Sequence, residues 1–588
     1  MIKLECSMKN APDKSIRWPY LYDFVRRKFF SEIDYFFANK LLDDSDEDVA
    51  AVLCYLMASA QNGHLCVTIS DDVITPNPLS VLNISEDNDD VLTAEEQQRL
   101  SKMILSGKKK LPSNITADVS SGDATATKPL CLYDGDLYLQ RHWIYETMFL
   151  DNISRIMKTT PAIQYDENIS EKLLSEMCNS GRLLDEQVQA IRHSLQSCFT
   201  VIVGGPGTGK TYTARKLIDV IQKSLSSSAD IVLAAPTGKA VANLKAGIPD
   251  VKAMTIHALL GIGFSRRYRK KRRIDADIII VDECSMVDVR LMAELLDAVA
   301  DGTRLIIIGD NDQLPPVEAG SVFADLVESH ENSDAVVRLK KCLRTESVDI
   351  VAMAQAVNSG NVEDAVALLQ NHNVGDDIWS ENPRITQEKL LRYVLDRFPK
   401  PRDIMKLAPE ELLTSFKAFC MLSPLRRGHL GVDALNNAIM SRLYEKAKSL
   451  PYFVAPIMIT TNDYNLGMMN GDVGVMTTYK SGIGSHAIFP GNEEQRYYDK
   501  THGIRKIPAI VLPRHEYSYC VSVHKSQGSE YDDVLLVMPQ GAEYFGREIL
   551  YTAITRARKK IEILGDKNTI SATIQTQSRR HSGILRRF

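Results

Sequence analysis

Residues 199–211 read Phe-Thr-Val-Ile-Val-Gly-Gly-Pro-Gly-Thr-Gly-Lys-Thr, and this stretch decides the fold. Its first five residues form an apolar, β-branched run that predicts a buried strand. From Tyr212 to Leu225, apolar residues at helical spacing predict a helix. The glycines between them let backbone N–H groups turn inward around an anion, and the helix N-terminus adds partial positive charge there. The stretch therefore predicts a phosphate-binding loop at the edge of a parallel α/β sheet.

Each part of this loop has a predicted role. Lys210 is placed as a point charge for the β- and γ-phosphates, and the Thr211 hydroxyl is placed as a Mg²⁺ ligand. A plain glycine-rich turn is the alternative, but it does not account for strand, loop, Lys-Thr pair and helix in this order. The residues predicted to hold the nucleotide phosphates are Gly204, Gly205, Pro206, Gly207, Thr208, Gly209, Lys210 and Thr211.

Length and composition indicate a globular protein of several domains. The chain has 588 residues, of which 44% are hydrophobic and 25% are charged. The ten cysteines are scattered without a Cys-x-x-Cys pair, which favours the reduced thiols of a cytoplasmic protein over disulfides or a metal site. The sequence shows neither a signal-peptide pattern nor an apolar run of membrane-spanning length. With a net charge of -5, any contact with nucleic acid must come from local basic patches.

Two adjacent carboxylates follow a later predicted strand of this sheet. Asp282 and Glu283 come directly after the β-branched run 278–281. We assign Asp282 to the Mg²⁺ shell and Glu283 to polarising the attacking water. A further buried strand, 305–308, leads into a polar loop in which Gln313 is predicted to sense the γ-phosphate. Strands and helices alternate throughout, which predicts a parallel, RecA-like sheet.

Polar residues near the other strands of this sheet are candidate ligand contacts. Gln187 precedes the loop by one helix and can grip an adenine edge with its two-sided amide, although an exposed helical glutamine is the default. Thr237 and Lys239 follow the strand 231–235, at the edge where parallel sheets bind ligands, and we assign both to nucleic acid. His257 is a further candidate, with a core or capping role as its alternative.

Residues 266–273 place seven cationic side chains around one tyrosine. Such a run repels itself unless it faces an anion, so we favour contact with a DNA backbone through Arg266, Arg269 and Arg272. A solvated loop is the alternative.

A second α/β unit is predicted beyond about residue 336. Arg344 and Arg556 are candidates to reach across a cleft to the γ-phosphate, as arginine fingers do, and a surface arginine is the alternative for each. Short strands with turn signals, among them Asn470-Gly471, predict a small β insertion between about 451 and 519.

The predicted fold class is therefore α/β, with two RecA-like P-loop parallel-sheet motor domains, a helical N-terminal domain and a small β insertion in the second motor domain. The predicted boundaries are 1–110 for a helical, partner-binding N-terminal domain, 111–128 for a linker, 129–335 for the first motor domain with a basic insertion at about 262–275, and 336–588 for the second motor domain with the β insertion at about 451–519.

In this order the motifs resemble those of superfamily 1 helicases over about residues 180–565. The segments 524–530 and 551–558 resemble the RecD branch, whose members move 5′ to 3′. The segment 137–146 and the helical N-terminal region resemble the RecD-type subunits of bacterial RecBCD helicase–nucleases, in which that region contacts the RecC subunit.

The resemblance implies an ATP-dependent, Mg²⁺-using 5′–3′ DNA helicase that acts on single-stranded DNA at duplex ends in recombinational repair. It implies RecB-like and RecC-like partners, with nuclease activity belonging to a partner. A free-standing superfamily 1 helicase and an ATP-binding regulatory subunit without motor activity are the alternatives. By the same resemblance, Glu530 lies near the ribose, and the single-strand groove is lined by Thr237, His257, His524, Lys525 and Ser526.

Overall fold

The chain forms two compact units in a computed structural model. The first comprises residues 1–146 and 580–583, and the second comprises residues 147–579 and 584–588. None of the helices among the described residues is both long and apolar enough to cross a membrane. The structure describes residues 16–43, 46–70, 73–82, 92–120, 126–225, 229–262, 273–342, 348–371, 387–463, 465–491 and 495–588.

The N-terminal unit combines helices with a five-stranded sheet in the order β2-β1-β5-β4-β3. Its helices are α1 (Pro19–Arg26), α2 (Glu32–Leu41), α3 (Glu47–Gln61), α4 (Pro78–Leu82) and α5 (Ala94–Lys109), and α6 (Gln140–Lys158) follows the last strand. Its strands are β1 (Cys66–Ile69), β2 (Ile74–Thr75), β3 (Thr116–Asp118), β4 (Leu130–Tyr133) and β5 (Asp136–Leu139).

The sheet of this unit is the main departure from the sequence prediction. Residues 111–128 were predicted to be a linker, yet they contain β3, which pairs with β4 in parallel. Strand β1 pairs with β5, about 70 residues further along the chain, with Val67 opposite Leu137. Strands of three or four residues carry too short a pattern to be detected locally, and their stability comes from these distant partners. The prediction of a helical domain ending at 110 was therefore wrong in its boundary.

The first motor lobe has a six-stranded sheet in the order β11-β6-β10-β9-β7-β8, and all its pairs are parallel. Its strands are β6 (Phe199–Gly204), β7 (Ile231–Ala235), β8 (Lys252–Thr255), β9 (Ile278–Val281), β10 (Arg304–Gly309) and β11 (Val336–Leu339). Its helices are α7 (Glu167–Asn179), α8 (Asp185–Gln196), α9 (Lys210–Ser224), α10 (Gly238–Gly247), α11 (Ile256–Leu259), α12 (Val289–Ala298) and α13 (Val322–Ser329).

The second motor lobe has a four-stranded parallel sheet in the order β19-β12-β20-β21. Its strands are β12 (Phe419–Ser423), β19 (Cys520–Ser522), β20 (Tyr531–Met538) and β21 (Ala557–Gly565). The accompanying helices are α14 (Val348–Ser359), α15 (Val362–Asn371), α16 (Gln387–Val394), α17 (Pro401–Ile404), α18 (Pro409–Lys417), α19 (Val432–Lys446), α20 (Arg547–Ile554) and α21 (Lys567–Gln575). The last helix, α22 (Ile584–Arg587), packs against α13 of the first lobe.

Between β12 and β19 the chain forms a separate antiparallel sheet in the order β16-β17-β15-β14-β13-β18. Both the parallel motor sheets and this β insertion agree with the predicted fold class. The strands of the insertion are β13 (Tyr452–Ile459), β14 (Val473–Tyr479), β15 (His486–Pro490), β16 (Tyr498–Asp499), β17 (Ile504–Pro508) and β18 (His515–Tyr517).

Candidate active site

The phosphate loop joins β6 to α9 as predicted. Gly207 and Gly209 have φ angles of 76° and 83°, a region that side chains with a Cβ avoid. The Lys210 ammonium donates to the carbonyl oxygens of Gly204 and Gly205 at 2.6 and 3.0 Å. The loop therefore wraps around the ammonium at the N-terminus of α9, the place where a helix binds phosphate.

The two predicted acidic residues lie at the end of β9, two strands away from β6. Burial raises the pKa of Asp282 although the Lys210 ammonium lowers it. Burial and the Asp282 carboxylate raise the pKa of Glu283, and Arg556 and Lys210 oppose that rise. Glu283 also has a φ of 55°, a left-handed conformation that costs free energy in a residue other than glycine and that clusters at functional sites. The carboxyl ends of β6 and β9 thus gather charged groups around the loop.

The two predicted Mg²⁺ ligands are adjacent in the structure. The Thr211 side chain lies close enough to the Asp282 carboxyl to lower its pKa, against the rise that burial causes. Hydroxyl and carboxylate oxygens are the hard donors that Mg²⁺ takes, usually beside water and phosphate oxygens. These two side chains therefore fit the metal of a nucleotide complex.

Gln313 lies in a buried network that joins the two motor lobes. Its side-chain amide donates to Asp310 Oδ2 at 3.1 Å, and the Tyr551 hydroxyl of α20 donates to the same oxygen at 3.1 Å. The Gln313 Oε1 atom has no hydrogen-bond partner among the residues that the structure describes. Asp310 thus holds the donor end of Gln313 and leaves its acceptor end available.

The residue after Gln313 strengthens this connection. The Leu314 N–H donates to Thr552 Oγ1 at 2.9 Å, and its carbonyl accepts from Gln527 Nε2 at 3.2 Å. Its side chain packs into the hydrophobic core of the second lobe. The backbone and the side chain of Leu314 therefore both attach this loop of the first lobe to the second lobe.

Arg556 lies between α20 and β21 and is 5% exposed. Its guanidinium donates to the Thr552 carbonyl at 2.9 Å, to Thr555 Oγ1 at 3.1 Å and to the Ser529 carbonyl at 3.3 Å. Its charge also lowers the pKa of Glu283 in the first lobe. Arg344, the other predicted finger, lies outside the described residues.

Gln187, the predicted adenine contact, is already hydrogen-bonded within the protein. Gln187 is 1% exposed, and its amide accepts from the Leu184 N–H at 3.1 Å and donates to the Thr208 carbonyl at 3.2 Å. In this structure its amide thus anchors α8 to the phosphate loop, and adenine recognition by Gln187 stays a prediction. A cavity of about 150 Å³ lies between the phosphate loop and α14. Glu530, predicted to lie near the ribose, is exposed.

The predicted DNA contacts differ in accessibility. Thr237 caps α10 by accepting from the Ala240 N–H at 3.2 Å, and His257 is exposed. His524 packs edge-on against Phe545 at a ring-centroid distance of 5.9 Å.

Three of the predicted contacts, Ser526, Lys525 and Lys239, bind protein groups in this structure, and three others lie outside the described residues. Ser526 is 0% exposed and its hydroxyl donates to the Val523 carbonyl at 2.7 Å, so it does not line a groove here. Its neighbour Lys525 is in an ion pair with Glu516 at 2.7 Å. The partly buried Lys239 ammonium donates to Ser529 Oγ. Local sequence did not reveal the Lys239 contact because Ser529 lies 290 residues further along the chain. The basic-run candidates outside the described residues are Arg266, Arg269 and Arg272.

The sequence prediction also missed residues that connect the lobes. Asp310, Tyr551, Thr552 and Gln527 were present in the motifs but had no assigned role. Their neighbours at Gln313, Arg556 and Ser526 offered the only local signal. These residues matter because their hydrogen bonds join the two lobes, and only the packing of the lobes decides which partner each residue binds.

Three family profiles match this chain. They are the N-terminal domain of the RecBCD enzyme subunit RecD over residues 26–138, an AAA domain over residues 182–375, and the UvrD-like helicase C-terminal domain over residues 517–563. The RecBCD enzyme subunit RecD of Mycobacterium tuberculosis is 30% identical to this chain, across 93% of this chain and 92% of that protein. This chain belongs to the RecD family.

Other RecD relatives agree with this assignment. The RecBCD enzyme subunit RecD of Haemophilus influenzae is 29% identical across 78% of this chain and 80% of its own length. The ATP-dependent RecD2 DNA helicase of Deinococcus radiodurans is 28% identical, across 77% of this chain and 59% of that protein. Among solved structures, Bacteroides Pif1 bound to single-stranded DNA aligns with a TM-score of 0.37 at 16% identity, across 66% of this chain and 93% of that one. As a RecD-like protein, this chain is an ATP-dependent helicase.

Proposed function

We propose that this chain is an ATP-driven 5′-to-3′ translocase on single-stranded DNA and serves as the RecD-type subunit of a RecBCD-like helicase–nuclease. The observation that carries the proposal is the charge of Arg556, in the second lobe, which lowers the pKa of Glu283 in the first lobe, as the Lys210 ammonium of that lobe also does. A site shared by two lobes changes its contacts when the lobes move. Hydrolysis there can therefore be coupled to movement along a strand.

The charged residues divide the work of hydrolysis. Lys210 and the backbone of the phosphate loop bind the phosphates, and Thr211 and Asp282 would hold Mg²⁺. When bound, Mg²⁺ supplies positive charge to the β- and γ-phosphate oxygens. Glu283 accepts a proton from the attacking water, whose orientation the Gln313 Oε1 acceptor assists.

Arg556 supplies the second lobe's contribution. A guanidinium cannot lose its proton in a protein and stabilises the charge that spreads over the transferred phosphoryl group. Because Arg556 is held by three carbonyl or hydroxyl oxygens of the second lobe, it moves with that lobe. Closure of the cleft would bring it to the γ-phosphate, and opening after hydrolysis would withdraw it.

The partner proposal is supported by the N-terminal unit. Residues 26–138 match the N-terminal domain of the RecBCD enzyme subunit RecD, and relatives with that name align over most of their length. We therefore propose RecB-like and RecC-like partners and broken duplex ends as substrate. The 5′-to-3′ polarity is supported by the resemblance of residues 524–530 and 551–558 to the RecD branch.

The motor proposal is tested by the substitution Lys210→Gln. We expect it to abolish DNA-stimulated ATP hydrolysis and strand displacement while single-stranded DNA still binds. Lys223→Gln, an exposed position near the end of α9, is the matched control. Strand displacement on duplexes with 5′ or 3′ tails tests polarity in the same experiment. DNA-stimulated hydrolysis by the Lys210 variant would refute the assignment of the site.

The partner proposal needs its own measurement. Co-expression with RecB-like and RecC-like chains followed by gel filtration should give a single three-chain species. Separate elution, together with strand displacement by this chain alone, would favour the free-standing helicase.

A further inference from the structure

Lys239 is predicted to contact DNA, but its contacts lie in the second motor lobe. It is in the first turn of α10, directly after β7, and its ammonium donates to Ser529 Oγ. Nearby, Asn243 Nδ2 donates to the Gly528 carbonyl at 3.1 Å. A Cβ added to Gly238 would lie 2.3 Å from Met469 Cγ, so the start of α10 is packed tightly against the second lobe.

The charges around Lys239 support this placement. Burial, followed by the Lys417 charge, lowers the pKa of Lys239 to about 8, and the Arg556 guanidinium contributes in the same direction. The Asp472 carboxylate opposes the shift. The partly buried Lys239 ammonium therefore lies near charged side chains of the second lobe.

Ser529 connects Lys239 to the predicted arginine finger. Its hydroxyl accepts from Lys239, and its carbonyl accepts from Arg556 Nη1 at 3.3 Å. Its N–H donates to the Ser526 carbonyl at 2.9 Å, and its side chain is buried. One fixed residue therefore contacts both cations, one from each lobe.

The helix that carries Lys239 also carries a candidate contact to single-stranded DNA. Thr237, a candidate DNA contact, caps the same helix whose first turn carries Lys239. A displacement of α10 when a strand binds would move the Lys239 ammonium relative to Ser529. The short path from Thr237 through α10 and Ser529 thus ends at Arg556.

We propose that Lys239 is a positioning residue that couples strand binding to Arg556 through Ser529, and is not a phosphate contact. The proposal rests on the proposed DNA motor and specifies how its two binding events communicate. Its direct consequence is that Lys239 affects the rate of DNA-stimulated hydrolysis and leaves the affinity for DNA unchanged.

The test uses the full-length chain with Lys239→Met, Ser529→Ala, the double variant and Lys239→Arg. Methionine keeps about the length of the partly buried side chain and removes its charge, and arginine keeps the charge. Lys252→Met is the control, because Lys252 is exposed at the start of β8, the opposite end of the sheet from the cleft. Fluorescent oligothymidylate binding is measured without nucleotide over a salt series, and ATP hydrolysis is measured against oligothymidylate concentration.

We expect Lys239→Met to lower the DNA-stimulated kcat about tenfold, the effect of losing a hydrogen bond to a charged group. The oligothymidylate affinity and its salt dependence should match those of Lys252→Met. Ser529→Ala should show the same loss, and the double variant should be no slower than the slower single variant, because both remove one interaction. Lys239→Arg should recover part of the rate.

Two results would overturn the proposal. If Lys239 is a phosphate contact, Lys239→Met weakens binding, and the slope of log affinity against log salt falls by about 0.7, with kcat at saturating DNA retained. If the losses in the two single variants add, Lys239 and Ser529 act separately. Absence of DNA-stimulated hydrolysis in both the unmodified chain and Lys252→Met would instead refute the proposed motor function.

Discussion

The N-terminal unit and the motor unit both bury ionisable side chains, but they arrange them differently. In the motor unit, the charge of Arg556 in the second lobe lowers the pKa of Glu283 in the first lobe. In the N-terminal unit, the Nδ1 atom of the partly buried His64 accepts from the His581 N–H at 2.8 Å, and the buried His142 contacts the Leu65 carbonyl at 3.2 Å.

This difference teaches that burial alone does not mark a functional site. In the motor unit the buried charges converge on one place, so removing one should lower activity more than stability. In the N-terminal unit His64 and His142 each contact a backbone group, so a change at either should lower stability and leave hydrolysis intact. The four predictions below test that division.

The largest expected effect is that of Arg556→Gln. We expect DNA-stimulated ATP hydrolysis to fall about 10³-fold, because an arginine finger supplies that much or more of the rate. Nucleotide binding, measured with a fluorescent ATP analogue, should change little. The matched control is Arg558→Gln, two residues further on and exposed. Equal activity in the two variants would contradict the role of Arg556.

The next effect concerns the segment 580–583, which belongs to the N-terminal unit. A Cβ on Gly583 would lie 1.9 Å from the Tyr138 hydroxyl, so Gly583→Ala should destabilise this unit by about 1–3 kcal/mol. Urea unfolding followed by tryptophan fluorescence measures this, because Trp18 and Trp143 both lie in the unit. Adding Tyr138→Phe removes the clashing oxygen and should reduce the cost of the alanine. Purely additive effects would argue against the predicted clash.

A third prediction concerns acid and the same unit. Burial, with the His581 and Arg580 charges, lowers the pKa of His64 to about 3, and burial lowers that of His142 to about 4. The unfolded chain therefore binds more protons below about pH 6.5, and stability falls as the pH falls through that window.

At pH 5 the loss from His64 alone should be about 2 kcal/mol relative to neutral pH. His64→Gln should flatten the dependence of tryptophan-detected unfolding on pH between 5 and 7. His515→Gln, an exposed position in the motor unit, is the control and should leave the slope unchanged. If stability depends on pH between 5 and 7 as strongly in the His64 variant as in the unmodified chain, His64 is not the source of the acid sensitivity.

The smallest expected effect is that of Tyr551→Phe, which removes the hydroxyl that binds Asp310 Oδ2 across the lobes. Loss of one hydrogen bond to a carboxylate should lower kcat roughly tenfold or less and leave the KM for ATP similar. Tyr544→Phe, at an exposed tyrosine, is the control. A raised KM with normal kcat would mean that Tyr551 serves nucleotide binding instead of coupling the lobes.

Local sequence was a good guide wherever chemistry is carried by one short segment. The phosphate loop, the Asp282-Glu283 pair and Gln313 each follow a strand, and the carboxyl ends of parallel strands share one edge. Their proximity could therefore be predicted from their shared position at the carboxyl ends of parallel strands. The sheet of the N-terminal unit was missed because its strands are short and because β1 pairs with β5, about 70 residues further along the chain.

The sequence by itself determined the nucleotide chemistry of this protein, because a phosphate loop and its acidic partners are defined by residue type and spacing at strand ends. Only the tertiary structure decided which residues join the lobes: Asp310 with Tyr551, Leu314 with Thr552, and Lys239 with Ser529. Each of these pairs brings together residues more than 200 positions apart. A hydrogen bond depends on where two side chains meet after packing, and no local pattern records the partner.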